Sequence, residues 1–244
     1  FFGVTESAHL LALKELWTGE SEELQRLKKR CSGLKIYFDH STGNQKVADE
    51  LLDEIFETCA KLKIPLVGHC EDAKLNEDAM KKIPSNEIVN HSLSRTLESE
   101  VKSIRDAIAL AKKHGTAFHV AHLSAKLGID LVREAKKEGL KITCEVAPHH
   151  LFLTTDDYET LGTFAKMNPP LRSISDRDAL WAGLHDGTVD CIATDHAPHT
   201  VAEKQDPKNP LEAPSGVPGV EPMLPLLLSV VAGVWPHPRS ERPV

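Results

Sequence analysis

The chain has 244 residues, of which 41% are hydrophobic and 27% are charged, a composition typical of a globular protein with a sizeable core. Its formal net charge of −7 argues against a surface that binds nucleic acid or an anionic membrane. The longest apolar stretch, residues 223–234, contains Pro225 and is too short to span a bilayer. Five scattered cysteines without C-x-x-C spacing are typical of reduced thiols. We therefore expect a cytoplasmic protein with no nucleic-acid or membrane partner.

Strand-like and helix-like patterns alternate along the chain. The strand patterns cover residues 1–4, 34–38, 64–68, 116–121, 140–146 and 189–193. The helical patterns cover residues 8–17, 22–30, 47–62, 97–114, 129–138, a segment that Ser175 would cap, and 220–234. Such alternation predicts a parallel sheet covered by helices, and no G-x-G-x-x-G follows a strand to support a dinucleotide-binding unit. We predict an α/β fold, a (β/α)8 TIM barrel that is incomplete, with about six of its βα units present.

Both ends of the sequence are unusual. The chain begins inside a strand pattern without a methionine, and residues 235–244 form a Pro/Arg-rich stretch that abandons the preceding helical pattern. We interpret residues 1–234 as a partial barrel domain, residues 235–244 as an atypical tail, and the sequence as part of a longer chain. Residues 200–219 are rich in Pro, Gly and Lys and are too long for a simple connection, which favours a functional loop.

Acidic and imidazole side chains follow several predicted strands at their carboxyl ends, where a barrel of this kind keeps its chemistry. Asp195 follows the last strand, while His69 and His122 follow two earlier ones. Two imidazoles and a carboxylate on one barrel face form a plausible zinc site. Taken alone, Lys35 would be an edge-strand lysine that reaches solvent, and His69 could be a hydrogen-bonded core histidine.

Two further pairs of histidines have simpler interpretations. His119 and His122 are three residues apart, so on a strand they face opposite sides and only one should reach the site. His122, at the strand end, is the better candidate. His149 and His150 could simply orient a loop.

Six motifs, taken in order, resemble those of dihydroorotases, which belong to the amidohydrolase superfamily of metal-dependent TIM barrels. The resemblance extends from Phe2 to about Ala232. The motifs are G-L-K-I-Y with S-T-G, G-H-C-E-D, H-V-A-H-L-S, E-V-A-P-H-H-L-F-L-T, K-M-N-P-P-L-R and I-A-T-D-H-A-P-H. The implied fold is an amidohydrolase-type barrel. The implied reaction is the reversible conversion of N-carbamoyl-L-aspartate to dihydroorotate in pyrimidine biosynthesis.

The resemblance also implies roles for individual residues. Lys35 would be carbamylated and would bridge two zinc ions. His69 and His122 would hold the second zinc, and Asp195 would bind the first and act as the catalytic acid–base group. The implied binding partner is the small-molecule substrate, N-carbamoyl-L-aspartate or dihydroorotate. The resemblance is also compatible with a homodimer or with an association with another pyrimidine-pathway enzyme.

Four residues match substrate-binding positions of the family. Asn168 and His199 match positions that hold the substrate's carboxylate and ring. Ser215 and Gly216 match a backbone contact in the substrate loop, although the family usually has Phe where Ser215 stands.

Three alternatives follow from the same residues. Allantoinases and dihydropyrimidinases share the barrel and the bridging lysine, but they generally lack the equivalents of Asn168 and His199. A neutral ring would leave such polar groups unpaired, which favours dihydroorotase.

The third alternative is a non-catalytic dihydroorotase-like scaffold. The family's H-x-H-x-R motif, which holds the first zinc, is absent, because no two of the thirteen histidines are two residues apart. We therefore expect no turnover from these 244 residues alone. Retention of Lys35, Asp195 and Asn168 favours an enzyme over a scaffold.

Overall fold

The computed structural model describes residues 32–41, 45–205 and 209–234. The predicted strand at 1–4, the predicted helices at 8–17 and 22–30 and the tail at 235–244 lie outside these residues. The described part contains five strands, each shorter than its predicted segment. The strands are β1 (Leu34–Tyr37), β2 (Leu66–His69), β3 (Phe118–Val120), β4 (Ile142–Val146) and β5 (Cys191–Ile192).

Helices occupy most of the chain between and after the strands. Those in the described residues are α1 (Leu52–Leu62), α2 (Ala73–Met80), α3 (His91–Ser94), α4 (Leu97–His114), α5 (Lys126–Lys137), α6 (Pro148–Phe152), α7 (Tyr158–Leu161), α8 (Ile174–Asp186), α9 (Val201–Lys204) and α10 (Val220–Val231). None of these helices combines the length and the apolar character needed to cross a bilayer.

The five strands are all parallel, and their order in the sheet is their order in the chain. A doubly wound sheet would reverse its strand order at a switch point, whereas sequential order is the arrangement of a barrel wall. The register aligns Tyr37 at the end of β1 with His69 at the end of β2. The fold prediction is thus confirmed as part of a barrel, with the carboxyl ends of the strands at one edge.

The alternation of burial along β1 separates the two faces of the sheet. Leu34 and Ile36 are buried in the core beneath the helices, whereas Lys35 and Tyr37 are only half-buried. Because successive side chains of a strand point to opposite faces, Lys35 and Tyr37 point to the face that the helices do not cover. That face corresponds to the barrel interior.

The sequence prediction is correct for the boundaries of one helix and wrong for the start of another. Helix α4 spans the predicted residues and ends at Gly115, which has φ +73° as a helix-ending glycine should. The predicted cap at Ser175 is wrong, since Ser173 is the N-cap of α8 and its Oγ accepts a hydrogen bond from Asp176 N at 3.3 Å. Ser173 has the extended backbone that a cap requires, whereas Ser175 already lies inside the helix.

The contact between β2 and β3 depends on a glycine. A Cβ atom at Gly68 would lie 2.5 Å from Phe118 Cζ and 3.1 Å from Phe38 Cε2. The Phe118 side chain is buried and packs on Phe56 with ring centroids 5.4 Å apart, so it has little freedom to move away. The absence of a side chain at Gly68 therefore leaves room for the Phe118 ring against the strand that ends at His69.

We expect Gly68→Ala to lower the free energy of unfolding by about 2 kcal/mol, the usual cost of forcing an extra methyl into a packed core. Urea denaturation followed by circular dichroism measures this change. Phe118→Leu should make room for the methyl, so that the double variant loses less stability than the two single variants together. An additive double variant, or a fully stable Gly68→Ala, would contradict the close contact.

Candidate functional site

Two imidazoles meet at the carboxyl ends of neighbouring strands. His69 is the last residue of β2, His122 follows β3 by two residues, and both are buried. The Nδ1 atom of His69 lies 3.1 Å from the Nε2 atom of His122. Two nitrogens bound at 2.0–2.1 Å to one tetrahedral zinc ion would be roughly 3.3 Å apart. The observed spacing therefore fits a shared metal ion with little rearrangement.

The other ring nitrogen of His69 orients the imidazole. Its Nε2 lies 2.8 Å from Glu71 Oε2, and a carboxylate partner favours the tautomer in which Nε2 carries the proton. The lone pair of Nδ1 then points towards His122. This arrangement of carboxylate and imidazole is typical of histidines that bind metal ions.

Glu71 is completely buried and is held by Arg95, whose Nη2 lies 2.6 Å from Oε2. Burial alone would raise the pKa of Glu71, but the Arg95 guanidinium and the hydrogen bond from His69 hold that pKa well below its ordinary value. The carboxyl group is therefore ionised and acts as an acceptor. Arg95 also reaches Asp39 Oδ2 at 3.2 Å, which joins the segments that follow β1 and β2.

His122 has an unusual backbone as well as an unusual environment. Its φ is +35°, in the left-handed region that costs a residue with a Cβ atom free energy. Burial lowers the pKa of His122 well below its ordinary value, and the nearby His69 and Lys35 lower it further. The ring is therefore neutral, which is the state that binds a metal ion.

Lys35 approaches this pair from β1. Its Nζ lies 5.3 Å from the ring centroid of Tyr37, and the Tyr37 ring lies 5.3 Å from that of His69. Together with its electrostatic effect on His122, this places the lysine on the side of the sheet where the imidazoles meet. We call Lys35, His69 and His122 the histidine–lysine cluster.

Asp195 follows β5 and also has a left-handed backbone, with φ +44°. Its Oδ2 lies 4.0 Å from His149 Nε2. Neither ring nitrogen of His149 has a hydrogen-bond partner in the described part of the chain. Burial lowers the pKa of His149, and the Asp195 carboxylate opposes that shift. His149, which from the sequence could simply orient a loop, thus lies next to Asp195, the predicted catalytic residue.

The remaining predicted residues form a second group. His199 Nε2 donates to the Ser215 carbonyl oxygen at 3.1 Å, and Gly216 has φ +133°. A Cβ atom at Gly216 would lie 2.6 Å from the Ala197 carbonyl oxygen, so the close approach requires glycine. Asn168 precedes Pro169, and its Oδ1 is buried without a hydrogen-bond partner among the described residues.

Of the two histidines on or next to β3, only His122 contacts His69. His119 lies 2.8 Å from Thr143 Oγ1 through Nδ1, and its Nε2 lies 3.2 Å from Glu145 Oε2. The donor atoms of His119, Glu145 and Cys191 lie within 4.8 Å of one another. The His119–Glu145 contact already satisfies two of these groups, so we assign no role to this set.

Sequence reasoning missed two residues of the site. Glu71 lies two residues after His69 in G-H-C-E-D, and a carboxylate so close to a predicted metal ligand was a usable signal. Arg95 is 24 residues further along the chain and lies outside all six motifs, so no local pattern indicated it.

Comparison with known proteins shows which family this chain resembles. The model of the Amidohydrolase family matches residues 18–218. A dihydroorotase of Brevibacillus brevis is 44% identical over 200 residues, which cover 80% of this chain and 46% of that protein. A dihydroorotase of Staphylococcus epidermidis is 41% identical over 211 residues, which cover 85% of this chain and 48% of that protein. The chain thus spans about half the length of these curated relatives.

A solved structure shares the fold. The L-hydantoinase (dihydropyrimidinase) of Arthrobacter aurescens superposes with a TM-score of 0.83 at 29% sequence identity, over 91% of this chain and 51% of that one.

We expect Glu71→Gln to lower the free energy of unfolding at pH 7 by about 3 kcal/mol, because it leaves the charge of Arg95 poorly compensated in a buried position. The depressed pKa of Glu71 contributes stability above the ordinary pKa of 4.5, and this stability is lost as the pH falls below it. The difference from the wild type should therefore shrink in acid. Urea denaturation between pH 3 and pH 7 measures it.

The matched control is Glu77→Gln, which removes an exposed partner of Lys81. Exposed ion pairs contribute little, so this variant should unfold like the wild type at each pH. A Glu71→Gln variant that behaved like the control would contradict the buried ion pair.

Proposed function

The chain belongs to the amidohydrolase family, and we propose that it is a zinc-dependent cyclic amide hydrolase of the dihydroorotase type. It would convert N-carbamoyl-L-aspartate and dihydroorotate into one another in pyrimidine biosynthesis. The observation that carries this proposal is the 3.1 Å approach of His69 Nδ1 to His122 Nε2 at the strand ends. It occurs in a chain that is 41% and 44% identical to proteins named dihydroorotase.

Zinc is the ion that this donor set favours, since imidazole and carboxylate ligands with an open position are typical of catalytic zinc. His69 and His122 would hold one ion, Asp195 would hold a second, and a carbamylated Lys35 would bridge the two. Bound zinc would supply a water of near-neutral pKa and polarise the ring amide.

The chain's own residues would perform the remaining steps. The Asp195 carboxylate would take the proton of the attacking water and return it to the leaving ring nitrogen. Asn168 and His199 would bind the substrate's carboxylate and ring, with the backbone of Ser215 and Gly216 alongside. The buried and unpaired Oδ1 of Asn168 supports a ligand that offers an N–H donor, such as the substrate's ring, because a buried acceptor needs a partner. The side-chain N–H groups of Asn168 would donate to the substrate's carboxylate.

An allantoinase or dihydropyrimidinase activity is the second candidate. The structural similarity to a protein named L-hydantoinase (dihydropyrimidinase) favours it, whereas the higher identity to dihydroorotases favours the first. Dihydroorotate differs from dihydrouracil by a ring carboxylate. The two ligands therefore separate these activities, and a non-catalytic scaffold would bind neither.

Several expectations belong to the same proposal. The enzyme would act in the cytoplasm on a small-molecule substrate, as a homodimer or together with another pyrimidine-pathway enzyme. The first zinc ion would need two further histidines, and these 244 residues contain no H-x-H arrangement.

We expect His122→Ala to weaken zinc binding by at least about 100-fold, because one of two imidazole ligands is lost and even outer partners of such ligands contribute 10- to 100-fold. Competition with a chromogenic chelator at pH 7.5 measures the affinity. His185→Ala on the exposed side of α8 is the matched control and should bind zinc like the wild type. Equal affinities of the two variants would exclude His122 as a ligand.

We expect the zinc-loaded chain to bind dihydroorotate more tightly than dihydrouracil, since only the former has a carboxylate for Asn168 and His199. Asn168→Ala should weaken dihydroorotate binding by about tenfold, the effect of one lost hydrogen bond to a charged group. Its affinity for dihydrouracil, which can use only the ring contact, should fall less. Calorimetric titration measures both ligands, and a preference for dihydrouracil in the wild type would favour the second candidate.

A further inference from the structure

Lys204 is a buried lysine whose ammonium group donates to three backbone oxygens of the described residues. It ends helix α9, and 3% of it is exposed. Its Nζ donates to the carbonyl oxygens of Lys166, Pro214 and Gly216, each at 2.9 Å. All three of its N–H groups therefore donate hydrogen bonds. The acceptors belong to two segments that are far apart in the chain.

The chemistry of the three acceptors explains why a lysine stands there. Three carbonyl oxygens that converge on one point repel each other unless a donor lies between them. The ammonium group has three donors and no acceptor, so it can serve all three at once. A side chain with fewer donors would leave a buried carbonyl oxygen unpaired, which is costly.

Other hydrogen bonds join the same two segments. Gly216 N donates to the Lys166 carbonyl oxygen at 2.9 Å, and Lys166 Nζ donates to the Ala213 carbonyl oxygen at 2.5 Å. Thr163 Oγ1 donates to the carbonyl oxygen of Lys204 itself. Burial, together with a smaller contribution from the charge of Lys166, lowers the pKa of Lys204 to about 8, which agrees with an ammonium group enclosed by protein.

The joined segments carry most of the proposed substrate contacts. Asn168 lies two residues after Lys166, and Ser215 lies between Pro214 and Gly216. The Ser215 carbonyl oxygen also receives the hydrogen bond from His199. One ammonium group therefore sits where the segment of Asn168 meets the loop that His199 contacts.

We propose that Lys204 is a positioning residue, which holds the segment of Asn168 against the loop of Ser215 and Gly216 so that the two form one substrate-binding surface. The inference rests on the proposed function, since that function assigns these residues to the substrate. Within the described residues, the hydrogen bonds of Lys204 Nζ go to the carbonyl oxygens of Lys166, Pro214 and Gly216 and not to the histidine–lysine cluster. Its removal should loosen the surface and leave the metal ligands in place.

Hydrogen exchange measured by mass spectrometry on the zinc-loaded chain tests the contact directly. We expect Lys204→Met, which keeps the length of the side chain but removes its donors, to raise exchange by at least about tenfold in residues 163–169 and 213–219, as the loss of a charge-assisted hydrogen bond predicts. Exchange in α4 should not change. Lys204→Arg, which keeps the charge and the N–H donors, should recover part of the protection.

Lys137→Met is the matched control, because Lys137 forms an exposed ion pair with Glu134. It should exchange like the wild type throughout. Unchanged exchange in both segments of Lys204→Met would overturn the inference. So would a rise spread over the whole chain, or an arginine variant no better protected than the methionine variant, because either result indicates general packing.

Dihydroorotate affinity links the contact to the substrate. We expect Lys204→Met to bind dihydroorotate at least about tenfold more weakly, with unchanged zinc affinity and with partial recovery in Lys204→Arg. Equal dihydroorotate affinity in the wild type and Lys204→Met would overturn the inference. If the wild type does not bind dihydroorotate while the exchange pattern holds, the proposed function fails and the positioning of the two segments is supported.

Discussion

The carboxylate of Glu71 is the constraint on which the histidine–lysine cluster depends. A fully buried carboxylate is tolerated only when other groups compensate its charge, and Arg95 and His69 do so here. Because His69 must donate one ring nitrogen to Glu71, its other nitrogen is left as a lone pair aimed at His122. The burial of the Glu71 charge thereby fixes the orientation of His69, the proposed metal ligand.

The same principle holds at other points of this barrel edge. Arg172 lies 3.0 Å from the buried carboxylate of Glu100 and also donates to Ser124 Oγ. Glu100 in turn accepts the backbone N–H of Ser124 at 2.7 Å, just after β3. The sheet and helices are held by apolar packing, whereas buried, hydrogen-bonded charges such as Glu71 with Arg95 and Glu100 with Arg172 hold the loops that follow the strands.

This division explains what could be predicted from the sequence. Apolar runs that end in His69, His122 and Asp195 revealed the strands and the edge where they end, because burial and alternation are local signals. The fold class and the length of α4 followed from similar patterns.

The pairings within the loops could not be predicted in this way. Arg95 meets Glu71 across 24 residues, and Lys204 meets Lys166 across 38. Such contacts depend on how several loops pack against one another. Hydrophobic periodicity is a local signal and does not indicate which loops pack together. The N-cap of α8 was predicted wrongly because Ser173 and Ser175 have the same side chain. They differ only in backbone conformation, which the sequence does not give.

The left-handed backbone at His122 and Asp195 has a consequence for adaptation. Each position stores of order 1–3 kcal/mol of strain, whereas Lys63, the other such residue in the described chain, ends a helix, where this conformation is common. Glycine would relax the backbone at either site while deleting the imidazole or the carboxylate. Stability and the proposed chemistry are therefore opposed at these positions, as is common in active sites. Selection of this chain for heat resistance alone would therefore favour early replacement of His122 and Asp195 by other residues.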